Sequence, residues 1–265
     1  MKYRKVKPPE YLKDIIRYFW VLETNGEASG PRTFRIVADG CPGLIYQYGS
    51  HRFTYHGQEP STLPSLFLYG QATRHGNLYS TGAIRATGVT FHPHVLKPMF
   101  GFDADECTNE VTDLNLIAPA VSDTLAGADT PKQHVEALSS SITQLIRQRY
   151  SENTAIRYSV STIVTSQGAV PLHKLHASLQ LSERQFERRF KQHVGISPKL
   201  FSRIARFQSA LQHIRSKSFQ TLTDVAFGRD YADQPHFIRE FREFSGFTPG
   251  QYHSPDRVVI EICQP

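Results

Sequence analysis

Two groups of residues near the carboxyl end have types and spacing suited to reading nucleic-acid bases. Arg184, Glu187 and Arg188 form one; Gln234, Pro235, His236 and Arg239 form the other. An arginine can grip guanine O6 and N7 with two hydrogen bonds, a glutamine can do the same on adenine, and a glutamate accepts from cytosine N4. Ser182, Lys191, Arg203, Arg206 and Arg242 lie beside these groups and suit phosphate oxygens, which fix position and carry no base identity. A second kind of chemistry is suggested further upstream. Tyr46, Tyr48, Tyr55 and Tyr69 alternate as if lining one face, either as core or barrel lining or as an aromatic small-molecule pocket. Arg74 and His75, near Gly70 and Gly76, could anchor an acidic effector, with Tyr46 and Tyr48 the tyrosines assigned to it. His92 and His94 share a strand face, as metal ligands would. Zinc needs three or four ligands, however, and only His51, His56 and His75 could complete the set, so strand-end histidines at a loop are the preferred reading. Cys41 beside Asp39 and Gly40 could sense oxidation, but the sequence shows no neighbouring charge to activate it.

The first two groups must be held by something, and a repeat supplies it. Sliding the sequence by 51 residues lays Phe186 on Phe237, Arg188 on Arg239, Phe190 on Phe241 and Gly195 on Gly246. Ser197-Pro198 falls on Thr248-Pro249, and Phe201 on Tyr252. Ser182 and Asp233 are good helix N-caps. Phe186/Phe190 and Phe237/Phe241/Phe244 recur at helical spacing and form one buried stripe each. Gly195 and Gly246 suit a left-handed helix end. Short helices over Leu172–Leu179 and Leu222–Phe227 precede the caps, so a helix-turn-helix occurs twice. Between the copies, Phe201, Ile204, Phe207, Leu211 and Ile214 mark a helix over Pro198–Ser216, roughly 28 Å long at 1.5 Å per residue. That length is comparable with the ~34 Å turn of a DNA duplex, so two reading helices could enter successive major-groove segments.

The pattern resembles the DNA-binding domain of the AraC/XylS family of bacterial transcription regulators over about residues 168–253. The carrying residues are Asp224-Val-Ala-Phe-Gly-Arg-Asp-Tyr-Ala-Asp-Gln-Pro-His-Phe-Ile-Arg-Glu-Phe-Arg242 and Gly246-Phe-Thr-Pro-Gly-Gln-Tyr252. The resemblance implies seven helices, promoter binding, often activation, and base-facing roles for the seven residues named at the outset. Where the family has turn glycines this chain has Gln180 and Asp230, and His176 stands where a small residue is usual. Upstream, Gly88–Gly101 and Ala104–Leu114 resemble a β-rich domain of unknown role found ahead of AraC-type DNA-binding domains.

Composition agrees with a globular chain: 265 residues, 39% hydrophobic, 20% charged. The net charge of +6 divides unevenly, with +1 over residues 1–150 and +5 over 151–265. A basic carboxyl-terminal half is the electrostatic footprint of nucleic-acid binding. Three scattered cysteines argue against a disulfide framework, and no apolar run spans a bilayer, so a cytoplasmic protein without membrane association is expected. Residues up to about 100 read as short strands: Ile16–Thr24, Thr33–Val37, Leu44–Tyr48, Arg52–His56, Ser65–Tyr69 and Ile84–Phe91, broken at places such as Asn25-Gly26. From about Val95 the pattern is helical only, with Pro131–Tyr150 the clearest helix, packing on the sheet or pairing with a second subunit.

The expected fold is therefore α+β with two domains. Residues 1–150 form an antiparallel sheet or barrel-like sensor or dimerisation domain with trailing helices. Residues 151–265 form an all-α double helix-turn-helix domain. The expected partner is double-stranded promoter DNA. An unknown effector, RNA polymerase and a second copy of the chain are further candidates. No catalytic residue, metal ligand or cofactor is assigned. Two rivals remain: a small His-metal barrel enzyme with a DNA-binding tail, and an architectural DNA binder that senses nothing.

Overall fold

The computed structural model describes residues 1–24, 32–56, 60–216, 224–225, 231, 233–253 and 260–262. The Asn25-Gly26 break, most of the Leu222–Phe227 helix and the turn residue Asp230 lie outside the described residues.

The amino-terminal half holds strands β1 (Lys2–Val6), β2 (Ile16–Glu23), β3 (Arg32–Ile36), β4 (Gly43–Tyr48), β5 (Thr54–His56), β6 (Pro60–Thr62), β7 (Leu66–Tyr69), β8 (Gly76–Ser80), β9 (Arg85–Phe91) and β10 (Val111–Asp113). They form two sheets, one in the order β1-β2-β9-β4-β7-β10, the other containing β3-β8-β5-β6. Alternation along a strand sends successive side chains to opposite faces. In β2, Tyr18, Trp20 and Leu22 enter the core between the sheets with Phe34, Phe53, Phe67 and Leu78. Phe19 belongs instead to a second core with Leu44, Val89 and Phe91, on the other face of the larger sheet. Trp20 is paired with Gly88, where a Cβ would stand 2.1 Å from the indole ring. Glycine there makes room for the tryptophan.

Helices α1 (Leu96–Phe100), α2 (Leu114–Ile117), α3 (Pro119–Ala126) and α4 (Pro131–Arg149) follow. Thr130 and Gln133 form a reciprocal capping box at the start of α4, which also carries Pro131 in its first turn. Leu138 and Ile142 of α4 are fully buried in the second core, so this helix covers the sheet.

The carboxyl-terminal half consists of α5 (Thr154–Thr165), α6 (Leu172–Ser178), α7 (Glu183–Val194), α8 (Pro198–Arg215), α9 (Gln234–Ser245) and α10 (Pro249–His253). A third core gathers Phe186, Phe190, Phe201, Phe207, Phe237, Phe241 and Phe244, all 2% exposed or less. At about 1.5–3 kcal/mol for each large side chain buried, these rings dominate the stability of the half. Val37 and Ala38, from the end of β3, join the same core and tie the halves together.

The expectation of helices alone beyond Val95 is corrected twice. β10 pairs with β7, and β11 (Ile260–Ile262) returns to the amino-terminal half and lies parallel to β3. Three-residue strands are too short to display a period of two.

Candidate nucleic-acid interface

Each unit of the repeat is closed by local chemistry. Ser182 caps α7 and completes a box with Gln185; Asp233 caps α9, its carboxylate accepting from the His236 amide at 2.7 Å. Both helices end on a left-handed glycine, Gly195 at φ 97° and Gly246 at φ 80°. Gln180, at the turn between α6 and α7, takes φ 55°, so the first turn keeps a glycine-like backbone without a glycine. His176 is half-buried, its ring centroid 6.3 Å from that of Phe186 and its Nδ1 3.0 Å from the Leu181 carbonyl.

With the phenylalanines inward, the opposite faces are open. Arg184, Glu187 and Arg188 are exposed on α7; Gln234, Pro235 and Arg239 are exposed on α9, and His236 is half-buried there. The His236 ring approaches the buried Glu240 carboxylate at 3.6 Å. Helix α8, 18 residues long, separates the two units and spans about 27 Å.

The residues expected at phosphates have varied surroundings. Ser182 and Arg242 are exposed. Lys191 is exposed but paired with Asp105 of the amino-terminal half at 3.3 Å. Arg203 is bound to Glu240 at 2.9 Å and Glu243 at 2.7 Å, so a phosphate would compete with two carboxylates for it. Arg206 is half-buried with its guanidinium over the Tyr231 ring at 5.6 Å. Burial and the nearby Glu240 push the Tyr231 hydroxyl well above the usual phenol range.

Sequence reasoning missed how α7 and α9 are docked. The repeat positions that end the helices meet the amino-terminal half in each copy. On α7, Gln192 donates to Asp103 at 3.1 Å, and the Gly195 carbonyl accepts from the Thr108 hydroxyl at 2.7 Å. A Lys97–Asp103 ion pair holds that carboxyl below its ordinary range. On α9, the backbone carbonyl of Glu243, equivalent to Gln192, accepts from the His75 amide at 3.2 Å and faces His75 Nδ1 at 3.0 Å. The Phe244 carbonyl accepts from Ala38, and Arg35 lies over the Phe247 ring at 4.7 Å. Pro235, Arg239 and Arg242 border an open groove whose other wall is His75. Glu240 did carry a sequence signal: it shares the buried stripe with Phe237, Phe241 and Phe244, where a lone carboxylate needs a cation.

The four residues expected around an effector do not converge, which corrects that grouping. Tyr46 and Tyr48 point to the α4 side of the larger sheet and pack on His134, at 5.1 and 4.3 Å between ring centroids. Arg74 and His75 lie at a cavity of about 380 Å³ whose apolar wall includes Ile36, Ile45, Phe67 and Leu78. Even-numbered β4 residues face α4, whereas Ile45 faces the space between the sheets, so one pocket cannot collect all four. Among the described residues, no three His, Cys, Asp or Glu side chains are grouped to hold a metal ion, and no helix is long and apolar enough to cross a membrane.

A β-rich half joined to a helical half in which α6 and α7 form a helix-turn-helix, and in which α9 repeats the capped second helix, defines the class: a helix-turn-helix protein. Residues 175–254 match a family model described as a helix-turn-helix domain, and residues 4–113 match one described as a domain of unknown function, DUF6597. The carboxyl-terminal half thus carries a helix-turn-helix domain of the matched family. The chain is 29% identical over 100 residues to an uncharacterized HTH-type transcriptional regulator of Haemophilus influenzae, covering 38% of this chain and 32% of that one. The chain thus matches about a third of the length of that curated relative. Solved structures similar to it include ToxT from Vibrio cholerae, at 9% identity and TM-score 0.49 over 96% of this chain and 98% of that one. Another is a probable AraC family transcriptional regulator from Rhodopseudomonas palustris, at 24% identity and TM-score 0.36 over 38% of this chain and 95% of that one.

Proposed function

We propose that the protein regulates transcription by binding double-stranded promoter DNA, with α7 and α9 reading successive major-groove segments on one face of the duplex. The observation that carries this reading is the duplicated presentation. Two capped helices, each with its phenylalanines buried and an arginine open at the same repeat position (Arg188 and Arg239), are set apart by α8. Base identity falls to Arg184, Glu187 and Arg188 on α7 and to Gln234, Pro235, His236 and Arg239 on α9. Position on the backbone falls to Ser182, Lys191, Arg206 and Arg242, with Arg203 available once released from its carboxylates. The net charge of +5 over residues 151–265 supports the approach to a polyanion. The outcome at the promoter is activation, through contact with RNA polymerase.

The amino-terminal half serves as the sensor. Its cavity between the sheets, with Arg74 and His75 at the rim, offers an apolar body and a basic mouth for an amphipathic acid. His75 also touches the end of α9, so the rim and the second reading helix share a residue.

Selection of preferred duplexes from a random pool, followed by anisotropy titrations at several salt concentrations, tests the DNA reading. Two conserved half-sites about one helical turn apart are expected. A selected pool without any sequence preference defeats the proposal.

A further inference from the structure

The amino-terminal half meets α7 and α9 at equivalent repeat positions, but it brings a carboxylate to one and an imidazole to the other. Lys191 on α7 corresponds to Arg242 on α9, each three residues beyond the open arginine, Arg188 or Arg239. Helical spacing places Arg184, Arg188 and Lys191 on one face of α7, and Pro235, Arg239 and Arg242 on one face of α9. Lys191 Nζ lies 3.3 Å from Asp105 Oδ2. Asp105 belongs to a short 3-10 turn, Ala104–Cys107, capped by Asp103. The Asp103 carboxylate accepts from Gln192 at 3.1 Å and pairs with Lys97, and exposed Glu106 closes the turn by accepting from the Asp103 amide at 3.2 Å. Three carboxylates therefore stand at the end of the open face of α7. On α9 the corresponding neighbour is His75, across the groove from Arg239 and Arg242. Glu243 in that groove belongs to α9 itself and is bound to Arg203. Among the described residues Arg242 makes no ion pair.

Docking does not require a carboxylate on Lys191. The Gly195 and Glu243 carbonyls already tie the two helices down, through the Thr108 hydroxyl and the His75 amide. The ion pair is an additional contact, and it lies on the face left for DNA. A carboxylate offers an ammonium the same kind of charged oxygen as a phosphate does, so Asp105 engages Lys191 as a duplex backbone would. The contact is also breakable. The Lys191 and Asp105 side chains are 57% and 30% exposed, and ion pairs this well hydrated are weak.

We propose that the Asp103–Glu106 turn is an autoinhibitory latch: Asp105 occupies Lys191 in place of a DNA phosphate, and a duplex must exchange with it to seat α7. The latch rests on α7 reading a duplex, as proposed above. One anion replaces another on the same ammonium, and the freed carboxylate returns to solvent. The second unit carries no such contact among the described residues, so the amino-terminal half restrains the two reading helices unequally.

Anisotropy titrations of the full chain on the selected duplex test this through a double-mutant cycle of Asp105→Asn and Lys191→Ala. Asp105→Asn is expected to bind about fivefold tighter than the unaltered chain. The gain is expected to vanish once Lys191→Ala is present, because no ammonium remains to be released. Asp123→Asn removes the same charge from an exposed position on α3 and is expected to stay within about twofold, long-range charge being screened by salt. Circular dichroism checks folding, and Asp105→Ser takes the place of Asp105→Asn if the latter does not fold. Unchanged or weaker affinity in folded Asp105→Asn, a gain that persists undiminished beside Lys191→Ala, or an equal gain in Asp123→Asn overturns the latch and leaves the DNA reading standing. Absence of sequence-preferring duplex binding in the unaltered chain and in every variant overturns both.

Discussion

The two reading helices are close copies, and they differ most at one repeat position. On α7 this is Arg189, exposed; on α9 it is Glu240, 1% exposed and bound to Arg203. The first helix therefore presents a dense basic surface, with Arg184, Arg188, Arg189 and Lys191 all in solvent. The second has an internal carboxylate that organises Arg203 and the His236 ring from beneath. One sequence repeat has thus become two different devices. The first, under the proposed function, offers its basic groups to phosphate. The second is built over a buried charge pair. The comparison also shows what the copies kept: both helix ends, at Gln192–Gly195 and Glu243–Gly246, are bound to the amino-terminal half.

The sharpest way to break this contrast is to mutate the divergent position in both copies. Glu240→Ala removes a buried charge-assisted hydrogen bond and leaves Arg203 with Glu243 alone, and is expected to cost about 1.5–3 kcal/mol in chemical denaturation. Arg189→Ala at the equivalent exposed site is expected to stay within about 0.5 kcal/mol. Equal losses would mean that the buried carboxylate does not distinguish the units. Next come the open arginines. Arg188→Ala and Arg239→Ala are each expected to cost about 1–3 kcal/mol on the selected duplex and to relax preference at one half-site only. Uniform weakening on all sequences would assign them to phosphates.

The docking contacts come third. Thr108→Val and His75→Ala each remove one hydrogen bond between the halves, worth about 0.5–1.5 kcal/mol of stability. The first should loosen protection of α7 in hydrogen exchange and the second that of α9. Protection lost from both helices in both variants would show that the two docks act as one. The smallest effect belongs to Lys191→Ala, expected to lower the slope of log affinity against log salt by about 1 without altering base preference. An unchanged slope would show that Asp105 keeps this lysine out of reach of the duplex.

Much of the helical half was legible because its signals are local. Ser182 and Asp233, the phenylalanine stripes, and Gly195 and Gly246 each speak within one or two turns, and the repeat doubles the evidence. Strands β1 and β8 were hidden: Lys-Tyr-Arg-Lys-Val reads as a charged tail, and Gly76-Asn77 reads as a turn. The docking surface could not be read at all. Its partners lie 87 residues apart for Thr108 and Gly195 and 168 apart for His75 and Glu243, and nothing in the spacing of either pair announces the other. The grouping of Tyr46 and Tyr48 with Arg74 and His75 failed for a related reason. Composition marks residues as aromatic or basic, whereas the pleat and the sheet order decide which side of a layer they occupy.

The parallel pairing of Ile260–Ile262 with Phe34–Ile36 has a mechanical consequence. The polypeptide leaves the sheet half after α4, forms the helical half, and is stitched back onto β3, so that half is anchored at both of its ends. A body pinned at two points can twist about the line joining them more easily than it can swing away. Relative movement of the halves is thereby steered toward torsion, and torsion changes the angle at which two rods meet a groove while leaving the gap between them nearly constant.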